Sequence, residues 1–295
     1  MGLGMDVETR KMFCGVVTLY NPPENYLLNI ASYSGFLDKL FVVDNSPTEN
    51  SVDSDALLER FANAVILSRG KNTGIAHALN LGIEAAGKNG SDWLLTMDQD
   101  SYFCAVQGER FFRSVNMVEK SRVAILSPLH RPARLDYGDC VFEEKTVVWT
   151  SGNLLNLELV RKVGLFDEKL FIDSVDHDYC FRVNLSGFKV LQATNCYLIH
   201  CIGDRTKGTA LVGKKQKSYM EHSPKRMYFI VRNGLYLASR YRGDFPVFIA
   251  RLFANIRKDF FRALKYSNAR ADYVRYAGKA VFDYYKGVFG NAVDI

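Results

Sequence analysis

The apolar run Trp93-Leu94-Leu95-Thr96-Met97 ends abruptly in Asp98-Gln99-Asp100, two carboxylates that flank one residue. A run of this kind predicts a buried strand, and acids at its carboxyl end emerge together where α/β sheets bind ligands. Paired carboxylates there suit a hard divalent cation, Mg²⁺ or Mn²⁺, which keeps positions open for substrate phosphates. Acid pairs are also common on ordinary surfaces, so the pair alone decides nothing. Its meaning rests on the elements that position it.

Cys14 to Leu19 predicts a first strand, stopped by Tyr20-Asn21-Pro22-Pro23. Leu40 to Val43 predicts a second that ends in Asp44-Asn45-Ser46-Pro47, and Val65 to Leu67 predicts a short third. The third runs through Arg69-Gly70-Lys71-Asn72-Thr73-Gly74 into a helical stretch, Ile75 to Ala86, ahead of the Trp93 strand. Strands alternating with helices predict an α/β chain with a mostly parallel central sheet flanked by helices. The dinucleotide fingerprint Gly-x-Gly-x-x-Gly and the P-loop pattern are both absent. A nucleotidyltransferase would carry a Gly-rich basic loop after strand one, where this chain has two prolines.

The motifs Thr18-Leu19-Tyr20-Asn21, Val43-Asp44-Asn45-Ser46, Asn72-x-Gly74-x-Ala76-x-x-x-Asn80-x-Gly82 and Asp98-x-Asp100 follow one another in order. A later block runs from Ser151-Gly152-Asn153 through Val163-Gly164-Leu165-Phe166-Asp167-Glu168 to Asp173-Ser174-Val175-Asp176-His177-Asp178-Tyr179 and Arg182. Together they resemble glycosyltransferase family 2, over roughly residues 12–210. The resemblance implies the GT-A, nucleotide-diphospho-sugar transferase fold in a catalytic domain at 1–204. Its nucleotide-binding half would span about 12–100 and its acceptor half about 101–204. Arg226-Met227-Tyr228-Phe229 and Arg232-Asn233 look like bacterial rhamnosyltransferases. That narrower likeness implies dTDP-L-rhamnose as donor and a lipid-linked oligosaccharide of a surface polysaccharide, such as O-antigen, as acceptor. A UDP-hexose donor and a catalytically lapsed scaffold stay open as alternatives.

By the same resemblance, Asp100 is the closer metal ligand, Asp98 lies nearer the nucleoside, and His200 is a third ligand or diphosphate contact. A lone histidine is also often a satisfied structural residue. Asp176 matches the second acid of the family's Glu-Asp pair and is expected to be the general base of an inverting displacement. The chain departs from that pair at Val175, which leaves Asp173 and Asp178 in competition. On a helix Asp178 and Arg182 would share a face as an ion pair. Thr18 and Tyr20 are placed to hold the nucleobase, and Asp44 to accept from its imide, unless Asp44 serves its own turn. Asn72, Gly74 and Asn80 stand at the helix that approaches the donor, although Asn80 and Gly82 also suit packing. Trp149, Ser151 and Gly152 are candidate sugar contacts, with burial in the core the alternative for Trp149.

Composition bounds the reading. The 295 residues, 48% hydrophobic and 24% charged, suffice for a full α/β core. No apolar stretch approaches the ~20 residues a membrane span needs, and the first residues lack a signal-peptide pattern. Six cysteines without Cys-x-x-Cys spacing read as thiols of a reducing compartment, and a cytoplasmic protein is expected. Charge is split: 205–295 carries 19 Lys or Arg against 6 Asp or Glu, whereas 1–204 carries 19 against 26. The boundary near 205 sets off a basic, aromatic, mostly helical C-terminal extension. In Phe245 to Tyr266, Ile249, Leu252, Phe253, Ile256, Phe260 and Leu264 recur at helical spacing, with Arg251, Arg257, Lys258, Arg262 and Lys265 between them. Such a helix suits the anionic inner face of a bacterial plasma membrane, packing on its own protein, or self-association. No nucleic-acid module accompanies the basic residues.

Overall fold

A computed structural model describes residues 11–130, 138–201, 207–212, 215–220 and 222–293, with 207–212 and 215–220 as backbone only. The N-terminal segment 1–10, Ile202-Gly203 and the expected boundary at 205 lie outside the described residues. The elements in chain order are β1 (Phe13–Leu19), α1 (Tyr26–Ser34), β2 (Lys39–Asp44), α2 (Ser54–Arg60), β3 (Ala64–Ser68), α3 (Ile75–Lys88) and β4 (Trp93–Asp98). Next come β5 (Ser101–Tyr102), α4 (Ala105–Arg113), β6 (Val123–Leu129), β7 (Phe142–Glu144), β8 (Asn153–Asn156) and α5 (Leu157–Val163). The chain closes with α6 (Val175–Leu185), β9 (Lys189–Tyr197), β10 (Ile199–His200), β11 (Lys207–Val212), β12 (Lys215–Met220), α7 (Pro224–Tyr241), α8 (Pro246–Tyr266) and α9 (Arg270–Lys286).

Contacts divide the chain into two units. The first comprises Met1–Asn72, Leu79–Leu165 and Val183–His200. It holds an eight-stranded sheet in the order β3-β2-β1-β4-β8-β6-β9-β7. β3, β2, β1 and β4 run parallel, so their helical crossovers cover both faces and their side chains are apolar almost without interruption. β1 and β4 show the consequence: Val16, Val17, Leu94 and Leu95 are fully buried. β8 enters antiparallel between β4 and β6, and β9 pairs parallel with β6. Gly82 of α3 lets that helix sit on β1, because a Cβ there would lie 2.5 Å from Val16. Packing is thus the role of Gly82.

The second unit comprises Thr73–Ala78, Phe166–Arg182 and Cys201–Ile295. Its helices begin and end on local chemistry. The Ser223 hydroxyl caps α7 by accepting from the Arg226 amide, Pro224 takes the first turn, and Gly287 closes α9 in the left-handed conformation. The apolar stripe of α8 is partly buried, with Phe260 and Leu264 packed against a cluster of Met227, Ala263 and Tyr273. Arg251, Arg257 and Lys258 remain exposed. Among the described residues no helix is long and apolar enough to cross a membrane.

Candidate active site

Asp98 is the last residue of β4, and Asp100 lies in the turn that follows, so the strand delivers both acids to the carboxyl end of the parallel half of the sheet. β5 starts immediately afterwards and pairs antiparallel with β10, in the register His200 opposite Ser101. That two-residue ladder brings a histidine from the far end of the unit onto the acid pair. His200 Nε2 lies 3.2 Å from Asp100 Oδ1 and 3.9 Å from Asp98 Oδ2. One donor atom from each of the three residues fits within 4.8 Å of the others. Burial opposes charging of His200, but the Asp100 contact and the charges of Asp100 and Asp98 outweigh it and raise its pKa above the ordinary value. Asp100 Oδ1 and His200 Nδ1 are buried without an aligned hydrogen bond. Two hard oxygens and a borderline nitrogen with an unsatisfied buried oxygen fit Mg²⁺ or Mn²⁺.

The acid turn is built from behind. The Asp98 amide donates to Ser151 Oγ (3.1 Å), whose own hydroxyl donates to Ser101 Oγ (2.8 Å). The Gly152 amide donates to the Thr96 carbonyl (2.6 Å), and a Cβ on Gly152, at φ +82°, would lie 2.9 Å from both Leu198 and Pro128. Ser151 and Gly152 are therefore buried supports of the turn, not sugar-facing surface. Trp149 is 45% exposed, which excludes the core alternative, and its ring meets His200 edge-on at 6.0 Å. His130, which the sequence did not single out, sits 5.1 Å from Trp149 and is tied by Nε2 to the Ser151 carbonyl (2.6 Å).

Gln99, the spacer between the acids, was also passed over. It accepts from the Tyr20 amide (2.7 Å) and donates to the Tyr20 carbonyl (3.0 Å), while its own carbonyl accepts from Asn29 (2.8 Å). The end of β1 is thereby pinned to the acid turn with the Tyr20 ring exposed. Thr18 is partly buried, and its Oγ1 lacks a partner. Asp44 is fully buried: Oδ1 accepts from the Ser46 amide (2.9 Å), and Oδ2 from Ser51 Oγ (2.7 Å) and the Val52 amide (2.8 Å). Its oxygens serve the loop after β2, which is the turn-forming alternative. Asn72 is partly buried and Asn80 buried.

In the second unit, Gly74 at φ +84° faces Phe171, and the Ile75 amide donates to the Phe171 carbonyl (2.7 Å). That amide at the start of α3 is accordingly taken, not offered to a donor. The three competing acids are distinct. Asp173 makes two hydrogen bonds with Arg226 (3.0 and 3.2 Å). Asp178 is fully buried and accepts from Arg182 (2.9 Å) and from Tyr241 OH (2.7 Å), which burial and this carboxylate push up to about 12. Asp176, in the first turn of α6, is partly exposed, accepts from the His177 amide (2.8 Å) and has His177 Nδ1 at 3.9 Å.

Residues 16–124 match the family model described as Glycosyl transferase family 2. Over 243 residues, 75% of this chain and 78% of the relative, the sequence is 27% identical to the dTDP-rhamnosyl transferase RfbF of Shigella flexneri. Among solved structures, S. aureus TarS 1–349 in complex with UDP-GlcNAc superposes with TM-score 0.55 at 12% identity, covering 92% of this chain and 80% of that one. GalNAc-T7 with UDP, GalNAc and Mn²⁺ gives 0.57 at 12% identity, covering 94% and 57%. The chain spans 49% of the longer S. aureus TarS structure. These likenesses show the GT-A fold alone. Residues 16–124, which carry the strand-end motifs and the acid turn, are thus similar to glycosyltransferase family 2, and the chain over 75% of its length is similar to a dTDP-rhamnosyl transferase.

Proposed function

We propose that this enzyme transfers L-rhamnose from dTDP-L-rhamnose to a growing lipid-linked bacterial surface polysaccharide, with inversion at the anomeric carbon. The observation that carries the reading is the Asp98, Asp100 and His200 cluster at the carboxyl end of the parallel strands. The name of the 27% identical relative supports the sugar. A divalent cation held by these three residues would neutralise charge on the diphosphate leaving group. The remaining work falls to the chain. Tyr20 offers its exposed ring to the nucleobase, Thr18 and Asp98 face the nucleoside, and Asp44 shapes the adjoining loop. Asn72, Gly74 and Asn80 order the donor-side segment, and Trp149, set on Ser151 and Gly152, offers an apolar face to sugar C–H bonds. Asp176 takes the proton of the acceptor hydroxyl as its oxygen attacks; the bond from the anomeric carbon to the diphosphate breaks as the new C–O bond forms. One displacement from the opposite face inverts the centre. What supports Asp176 over its neighbours is that Arg226 holds Asp173, while Arg182 and Tyr241 hold Asp178.

The same reading places the protein in the cytoplasm, peripheral on the inner face of the plasma membrane, with the basic C-terminal extension 205–295 toward anionic lipid. Phe261, Phe282 and Tyr285 are exposed there, beside Lys258, Lys265 and Lys286.

The test is thermal stabilisation by dTDP-L-rhamnose, UDP-hexoses and GDP-mannose, each with Mn²⁺ and with chelator. A ligand at about 100 times its Kd stabilises by ~2.7 kcal/mol, roughly 4–5 °C for a chain of this size. Mn²⁺-dependent stabilisation by dTDP-L-rhamnose is expected. Preference for a UDP-hexose would replace the donor, and stabilisation by none would favour the lapsed scaffold.

A further inference from the structure

The residues that suggested a rhamnosyltransferase, Arg226 and the Arg232-Asn233 pair, all lie on α7 and all grip the segment that leads into Asp176. Arg232 and Asn233 are completely buried. Arg232 Nε donates to Asn233 Oδ1 (3.1 Å), which fixes the amide and turns its NH₂ group toward the carbonyls of Leu170 (2.8 Å), Ile172 (2.7 Å) and Asp173 (2.9 Å). The Arg232 guanidinium reaches the carbonyls of Lys169 (3.2 Å) and Gly290 (2.8 Å) and lies over the rings of Tyr228, Phe229 and Phe289. One turn from the helix start, Arg226 holds the Asp173 carboxylate.

The gripped segment is strained. Phe171 (φ +60°, ψ −64°) is the centre of a γ-turn closed by the Ile172 amide on the Leu170 carbonyl (2.7 Å). Asp173 (φ +62°) and Ser174 (φ +65°) are also left-handed, and none of the three is glycine. Non-glycine residues persist in that region only where their surroundings over-determine them. Here the surroundings are identified: one buried amide donates to the carbonyls of Leu170, Ile172 and Asp173, and one buried guanidinium to that of Lys169. Ser174 then starts α6, accepting from the Asp178 amide (3.0 Å), and Tyr241, also on α7, holds Asp178. α7 thus fixes the backbone on either side of Asp176, whose carboxylate accepts from the His177 amide.

We propose that Asn233 and Arg232, assisted by Arg226, are positioning residues for the general base: they impose the left-handed Phe171–Ser174 path that aims the Asp176 carboxylate at the acceptor hydroxyl. The proposal rests on Asp176 being the base. A displacement of about 1 Å at a reacting group costs on the order of 100-fold in rate.

The experiment follows dTDP release from dTDP-L-rhamnose with Mn²⁺, water or an alkyl rhamnoside serving as acceptor, together with donor binding by calorimetry. Variants are Asn233→Ala, Arg226→Gln, Asp176→Asn and the double Asp176→Asn/Asn233→Ala. Asn233→Ala should lower kcat about 100-fold with donor Kd unchanged, and should speed amide exchange across residues 170–178 while β1 and β4 stay protected. Arg226 is half exposed, so Arg226→Gln should fold even where Asn233→Ala does not, and about a tenfold loss in kcat alone is expected. The double variant should be no slower than Asp176→Asn, because positioning counts only while there is a base to position. Normal kcat in Asn233→Ala or Arg226→Gln, or additive loss in the double variant, overturns the proposal. Normal kcat in Asp176→Asn instead overturns the base assignment on which it rests.

Discussion

Replacing Gly74 by alanine separates a packing role from the donor contact that its motif suggests. The residue stands at φ +84°, where an L side chain costs about 1–2 kcal/mol. An added Cβ would also fall 2.5 Å from Phe171 Cδ2, 2.9 Å from Cε2 and 2.7 Å from the Phe171 carbonyl oxygen. Carbon contacts settle near ~3.5–4.0 Å, so about 1 Å of overlap must be relieved. Phe171 has little freedom to give way. Its carbonyl accepts from Ile75, its ring stacks on Phe229 at 5.4 Å, and its backbone is the γ-turn held by α7. Overpacking of this kind costs about 1–3 kcal/mol, for a total near 2–5 kcal/mol.

Gly90 supplies the control, because it has φ +71° but nothing within 4 Å of its notional Cβ. Gly90→Ala should lose only the backbone cost, about 1–2 kcal/mol. Urea unfolding of both variants, with dTDP-sugar binding measured on each, distinguishes the cases. Gly74→Ala should be the less stable by about 1–3 kcal/mol. Equal stabilities, or a stable Gly74→Ala that no longer binds donor, would refute the packing argument.

Asp100→Ala should abolish Mn²⁺-dependent stabilisation by donor while leaving the unfolding of the free chain within about 1 kcal/mol of the parent; retained metal dependence would remove Asp100 from the site. Asp283 is buried, which works against its charge, but Lys279 (2.7 Å) and the Tyr228 hydroxyl (2.6 Å) outweigh burial and hold its pKa below the usual carboxylate value. A depressed acid stabilises fully above its unfolded pKa of ~3.9 and loses that contribution as pH falls through the folded value. The stability gap between parent and Asp283→Asn should therefore be largest at pH 5–7, by order of magnitude of the reference pKa, and close below about pH 4. A gap that is constant down to pH 2.5 or so would contradict the ion-pair account. Phe282→Asp, on the exposed side of α9, should cut binding to anionic vesicles without altering donor affinity; unchanged binding would return the extension to a purely protein-packing role.

The parallel strands and α3 were legible because apolar periodicity and chain-ending polar residues are local signals, and β1, β2, β3, β4 and α3 lie within a residue or two of the expected ranges. A strand over Lys189 to Ile199 is likewise readable and corresponds to β9, but the antiparallel β8 and the pairing of β6 with β9 are not, since partners are set by topology. The acid pair could be read from the chain, yet His200 meets it only through a two-residue ladder with β5, a register that no local pattern records. His130 and Gln99 escaped for a related reason: each acts through a backbone group of a distant residue, Ser151 or Tyr20.

Acids are the hardest residues to assign from spacing, because sequence shows where a carboxylate lies but not which of its oxygens are already taken. Asp44 looks like a ligand at the end of β2, and three hydrogen bonds to its own loop occupy it. On paper the resemblance favours Asp176 and the i,i+4 spacing pairs Asp178 with Arg182, a pair the structure contains, while Asp173 stays in competition. In space Asp173 answers a guanidinium 53 residues away, and Asp178 answers a tyrosine 63 residues away. Both partners belong to α7, a helix outside the part of the chain that matches the family model. A base must keep an oxygen for the substrate, so Asp176 is proposed less on the motif than on what α7, with Arg182, takes from the other two. On this view the basic extension contributes to chemistry before it contributes to any membrane, and trimming it at residue 222 should cost kcat even where donor binding survives.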